Sequence, residues 1–290
     1  MNRMLEPLAL KVVAAATCLV LSSCADQPTA PSASTAAPLP APTAAAASFA
    51  PARGAAQAPA ASAVDPGVIQ ALERMGAYLR TLKNFEVTLN STTDAALDND
   101  QLAQVSKTAR LKVRRPDGAR ADFADDSGDR KVLYYNGKTA TVYDPETKFY
   151  ATVPAPATLK EVVAQLHDRY GIEFPAADLF SWSGDKMDTS AIRSADFLGV
   201  ARVDGKMTDH FALRQEGVDW QIWIEHGSAP LPRKLVITTT SDVARPQHAV
   251  NMRWNLSPRF AADTFAFKAP AGSQRIVIRR VDGTVEAPGK

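Results

Sequence analysis

The chain has 290 residues, 46% of them hydrophobic and 22% charged. Its 33 Lys and Arg nearly match its 31 Asp and Glu, so the basic excess that nucleic-acid binding requires is missing. Both cysteines, Cys18 and Cys24, lie near the start, so everything after them lacks a disulfide, a cysteine nucleophile and a cysteine zinc site.

Arg3 and Lys11 precede an apolar run from Val12 to Leu21, the pattern of a secretory signal. The run is too short to span a bilayer, which takes about 20 residues. It ends in Leu21-Ser22-Ser23-Cys24, which resembles a bacterial lipobox. The resemblance implies that residues 1–23 are removed, that Cys24 is lipidated, and that the protein is held in the periplasm by its acyl chains. Ala25, rather than Asp, follows the cysteine, and by the enterobacterial sorting pattern this favours the outer membrane.

Residues 24–63 are nearly all Ala, Pro, Ser and Thr, with Asp26 and Arg53 the only charges. Such a segment buries too little apolar surface to offset its chain entropy, so a disordered, proline-stiffened tether is expected. Residues 64–290 remain as one folded domain, and its charge is balanced once Arg3, Lys11, Arg53, Glu6 and Asp26 are set aside.

The domain opens with a helix. Asp65-Pro66 is a cap and first-turn pair, and Val68, Leu72, Met75, Leu79 and Leu82 form an apolar stripe. The period then becomes two. Phe85, Val87 and Leu89 alternate with polar residues, as do Val105, Ala109, Leu111 and Val113, with Lys107 breaking the pattern. Pro116-Asp117-Gly118 marks a turn. Lys131–Tyr135 and Lys138–Tyr143 flank Asn136-Gly137, a hairpin with an expected type I′ turn. A strand over Phe149–Val153 leads to a helix over Thr158–Arg169 and a short second one over Pro175–Phe180.

The remainder alternates as a meander: Asp196–Val203, Met207–Gln215, Val218–Glu225, Arg233–Thr240, His248–Leu256 and Thr264–Phe267. The expected class is α+β. Its architecture is a large antiparallel sheet of ten or eleven strands, an incomplete β-barrel with helices over one apolar, concave face.

Three runs carry a family resemblance. They are Arg169–Pro175 with Ala177-Asp178-Leu179, the long stretch Phe211–Thr239, and Phe265–Gly272. Together they resemble a bacterial family of predicted periplasmic proteins of unknown function. That family is similar to the lipoprotein-localisation factors of the LolA/LolB type. The resemblance implies a half-barrel closed by helices around an apolar cavity for acyl chains, and it brings no catalytic or binding residues with it. Relatives often carry Cys-His-His where this chain has Thr208-Asp209-His210.

No catalytic pattern competes with this. His167, His210, His226 and His248 are scattered without metal-ligand spacing, and Asp125, Asp126 and Asp129 lack that of a calcium loop. There is neither a Gly-x-Ser-x-Gly elbow nor a phosphate loop. No enzyme, metal or cofactor is expected, a hydrolase being the least favoured reading. The candidate cavity wall is Trp220, Ile222, Ile224, Leu235, Ile237, Met252 and Trp254, a Trp- and Met-bearing stripe that would also serve as ordinary core. Trp223 falls on the opposite face, where exposure would mark a contact for an envelope protein. The expected function is a lipid-anchored carrier or sensor of acyl chains or lipoproteins. The alternative is a scaffold or interaction module without ligand.

Overall fold

The computed structural model describes residues 64–99, 101–174, 176–183 and 188–284. The expected signal segment and tether, with Cys24, lie outside the described residues, as do Pro175 and the C-terminal end.

Helix α1 (Pro66–Thr81) starts where Asp65 accepts a hydrogen bond from the Gly67 amide at 2.7 Å, with proline in the first turn. Val68, Leu72, Met75 and Leu79 of its stripe are buried. Strands β1 (Asn84–Ala96), β2 (Leu102–Arg114), β3 (Gly118–Asp125), β4 (Arg130–Tyr135), β5 (Thr139–Tyr143) and β6 (Phe149–Pro154) follow as an antiparallel meander. Two helices come next. Helix α2 (Leu159–Tyr170) is capped by Thr158, which accepts from the Glu161 amide, and it ends at Gly171, whose φ of 64° is left-handed. Helix α3 is short (Ala177–Trp182). The second meander comprises β7 (Ser194–Val203), β8 (Lys206–Gln215), β9 (Val218–Glu225), β10 (Pro232–Thr239) and β11 (Gln247–Asn255). A two-residue β12 (Gln274–Arg275) completes the set.

One twelve-stranded sheet results, in the order β12-β6-β5-β4-β3-β2-β1-β11-β10-β9-β8-β7. The two meanders join where β1 pairs with β11, Leu89 opposite Met252. Among the named strands all pairings are antiparallel except β12 with β6, and Val64 adds an isolated parallel bridge to Ala195 of β7. The order ends at β12 and at β7 without closing, so the sheet is an incomplete barrel of the expected kind. Its inner face and the helices share one core that includes Leu72, Met75, Phe85, Leu111, Leu166 and Ile222.

Among the described residues the strands number twelve rather than ten or eleven. Strand β3 escapes the sequence pattern because Ala119 and Ala121 fill its inner positions, and alanine is a weak strand signal. Thr264–Phe267 is not a strand. It is a turn whose following aromatic docks on the sheet's outer face: the Phe267 ring lies 5.4, 5.4 and 4.9 Å from the rings of Tyr134, Tyr143 and Tyr150.

The β4–β5 turn also differs from expectation. Type I′ needs positive φ at two central residues, and here only Gly137 has it, at 82°. Asn136 uses its side chain instead, accepting from the Lys138 and Thr139 amides at 3.0 and 2.9 Å.

Candidate functional site

Cross-strand register builds the inner face in rows. One row runs Val250, Leu235, Ile222, Phe211 and Phe197, crossing β11, β10, β9, β8 and β7. A parallel row runs Thr93, His248, Ile237, Trp220, Leu213 and Ala195. Met252 and Trp254 lie farther along β11, opposite Leu89 and Val87. All seven candidate wall residues therefore share the helix-covered side.

They are not equally free. Ile222, Ile224, Leu235 and Met252 are buried in the common core, while Trp220, Ile237 and Trp254 are half-buried against it. Trp254 is anchored: its Nε1 donates to the Pro232 carbonyl at 2.8 Å, and its ring is 5.5 Å from that of Phe85. The indole N–H of Trp220 is buried without a hydrogen-bond partner.

The apolar lane continues beyond its buried part. Ile222 is 0% exposed and Phe211 5%, but Phe197, next in the row, is 49% exposed on the edge strand. Val200 and Met207, farther along the same side, are exposed as well. The sequence stripe missed this extension because a bulge between Phe197 and Gly199 interrupts the alternation of β7.

The two ends of the inner face are polar. At one end His248 Nδ1 and Thr93 Oγ1 are 2.8 Å apart, and burial holds the imidazole below its ordinary pKa, with Lys107 adding to the effect and Glu173 opposing it. Lys107, which broke the β2 alternation, lies opposite Ser91 on this same side. At the other end Arg115 continues the inward positions of Leu111 and Val113. Its guanidinium stands 6.0 Å from the Phe85 ring centroid and 5.7 Å from that of Phe180, and Nη2 donates to Ser183 Oγ at 2.8 Å. Its Nε is buried without a partner, and burial pulls its pKa down. Arg115 was not singled out from the sequence. A cation at an inward strand position was the available signal.

Trp223 corrects an expectation. It does point to the outer face, but it is only 9% exposed. The His210 ring stacks on it and Lys234 Nζ lies 4.7 Å from its centroid, so its cross-strand neighbours cover it.

The histidines each have a neighbour within 3.2 Å: Asp168 for His167, Gln221 for His210, Asp209 for His226 and Thr93 for His248. The acidic turn is internally bonded, Asp125 Oδ1 accepting from the amides of Ser127 and Asp129 at 3.1 Å each. Among the described residues no group of three or more His, Cys, Asp or Glu stands ready for a metal ion, and no helix is long and apolar enough to cross a membrane.

No curated protein matches this chain. Similar solved structures include the lipoprotein LppX of Mycobacterium tuberculosis, 12% identical with a TM-score of 0.44, over 67% of this chain and 98% of that one. An uncharacterised conserved protein from Thermus thermophilus is 12% identical with a TM-score of 0.42, over 72% and 98%. A LolA superfamily protein from Nitrosomonas europaea is 12% identical with a TM-score of 0.30, over 69% and 97%. The match to a family model is direct and spans residues 68–279: the chain belongs to DUF2092, a family described as predicted periplasmic proteins.

Proposed function

We propose that this protein is a lipid-anchored carrier or sensor of the periplasm, a binding protein rather than an enzyme, which takes the acyl chains of a lipid or lipoprotein along the inner face of its sheet. Cys24 would carry the anchor, with the outer membrane the favoured site. One observation supports the reading above the others. The row Ile222, Phe211, Phe197 passes from full burial to a half-exposed edge without ceasing to be apolar. A core needs only the buried part. The exposed part is a landing strip along which each methylene leaving water gains about 0.8 kcal/mol.

The test is native mass spectrometry and lipid extraction of the full chain purified from its membrane, followed by titration with a fluorescent fatty acid. Co-purifying lipid and saturable displacement of the probe are expected. A chain that carries no lipid beyond its own anchor and excludes the probe is a filled fold, and the carrier reading fails.

The alternative, an envelope interaction module without ligand, draws on a different feature. Strand β7 is an edge of the sheet, with Leu198 and Val200 exposed beyond Ala195, whose carbonyl accepts from the Asp65 amide. On that reading a protein partner crosslinks at β7 and lipid is absent.

A further inference from the structure

Several arginines of this protein grip a carboxylate with one edge of the guanidinium. Arg214 holds Asp219 through Nε at 2.6 Å and Nη2 at 2.8 Å. Arg120 holds Asp122 through Nε at 2.9 Å and Nη2 at 2.7 Å. Arg115 presents the same edge, yet a neutral hydroxyl, Ser183 Oγ, occupies only the Nη2 half. That hydroxyl is itself turned to the Phe180 carbonyl, to which it donates at 3.3 Å. The Nε–H is buried with nothing to donate to.

The surroundings make this costly. Two aromatic rings flank the cation, and no carboxylate is paired with it among the described residues. Arg115 is half-buried with its Nε–H out of water, and a charge partly withdrawn from water without a counterion carries a desolvation cost that a bound anion would offset. Its location narrows what that is. Arg115 ends the inward line Leu111, Val113, Arg115, at the foot of the apolar face on which the acyl chain is proposed to lie.

We infer that Arg115 is the head-group site of that ligand. The apolar rows hold the chain, and the Nε–Nη2 edge of Arg115 takes the oxygens of one acidic head, a carboxylate or a phosphate monoester, with Ser183 as a further donor or a displaced placeholder. The planar fork of arginine suits either head side-on. This rests on the acyl-binding reading, and it adds that the ligand is an acidic amphiphile rather than a neutral ester.

The experiment compares palmitate, methyl palmitate, a monoacylglycerol phosphate and inorganic phosphate on the lipid-stripped full chain, wild type, Arg115→Gln and Arg115→Lys. The two acids are expected to bind wild type about tenfold or more tightly than the methyl ester. Arg115→Gln abolishes that preference while leaving the ester's affinity unchanged, and Arg115→Lys restores part of it. Whichever acid binds more tightly identifies the head. Carboxyl-13C palmitate on wild type needs no variant: its resonance should stay at the ionised position to a lower pH than that of free palmitate. Equal binding of acid and ester, or a preference that survives Arg115→Gln, overturns the inference and leaves the acyl reading standing. If no amphiphile binds but inorganic phosphate shifts the Arg115 Nε–H resonance, the anion site stands and the acyl reading falls. If neither happens, both fall.

Discussion

The imidazole of His210 and the indole of Trp223 lie face to face across β8 and β9, with centroids 3.9 Å apart and planes 13° from parallel. With the Lys234 ammonium over the indole, a small satellite of packing forms on the side of the sheet away from the helices. A large aromatic is thus hidden without joining the core. Trp223→Ala should therefore destabilise the fold by roughly 2–4 kcal/mol, a truncation cost plus a lost aromatic pair. His210→Ala should cost about 1 kcal/mol. Urea unfolding checks both. The fatty-acid titration should be untouched, since this packing faces away from the inner wall. A midpoint unchanged in Trp223→Ala would show that the stack contributes nothing.

Two histidines make stability depend on pH. Burial holds His210 below its ordinary value near 6.5, with Lys234 adding to this and the Gln221 hydrogen bond opposing it. Burial does the same to His248, with Lys107 adding and Glu173 opposing. In both cases the unfolded chain binds the proton more readily than the folded one. Their contribution is thus complete above the unfolded pKa and is lost as pH falls through the folded one. The urea midpoint should drop between about pH 7 and 5, and replacing both histidines with glutamine should flatten that slope. A slope unchanged in the double variant would exclude them.

Ile222 and Phe197 share a row but should behave in opposite ways. Ile222→Ala opens a cavity in the core and is expected to cost about 2–5 kcal/mol. Phe197→Ala, on the exposed edge, should stay within about 1 kcal/mol of wild type yet weaken the fatty-acid probe severalfold. If Phe197→Ala binds the probe as well as wild type, the exposed end of the lane is not part of the site.

Gly137 has two reasons to be glycine. Its φ is 82°, and a Cβ there would lie 2.9 Å from the Asp117 Cβ. Gly137→Ala should cost at least about 1–2 kcal/mol, where a merely permissive turn would lose less than half of that. Thermal unfolding of the variant decides between them.

Cys24→Ser should abolish metabolic labelling with palmitate and release the protein from membranes into the soluble fraction. A variant that stays membrane-bound, or a wild type that never takes label, removes the anchor from the proposal.

Much of the fold was legible because local patterns carry it. The α1 stripe, the alternation of β1, β2 and β8–β11, and the capping of α1 are each written within a dozen residues, where side-chain period and backbone period must agree. The same pattern placed all seven wall residues on one face, and Trp223 on the other. It did not show that His210 and Lys234 would cover Trp223, since that depends on which strands become neighbours and in what register. Nor did it show β3, whose inward alanines leave little hydrophobic signal, or Phe267 among three tyrosines, since its ring seats across strands β4, β5 and β6 far earlier in the chain. What the sequence determined alone is the set of elements, the sided apolar face and the expected address at Cys24. Only the tertiary structure decided where the apolar lane leaves the core, and that Arg115, at the foot of the inner face, has no carboxylate partner among the described residues. Burial and the absence of a charge partner belong to the whole packed sheet and its helices, and no local stretch of chain encodes them.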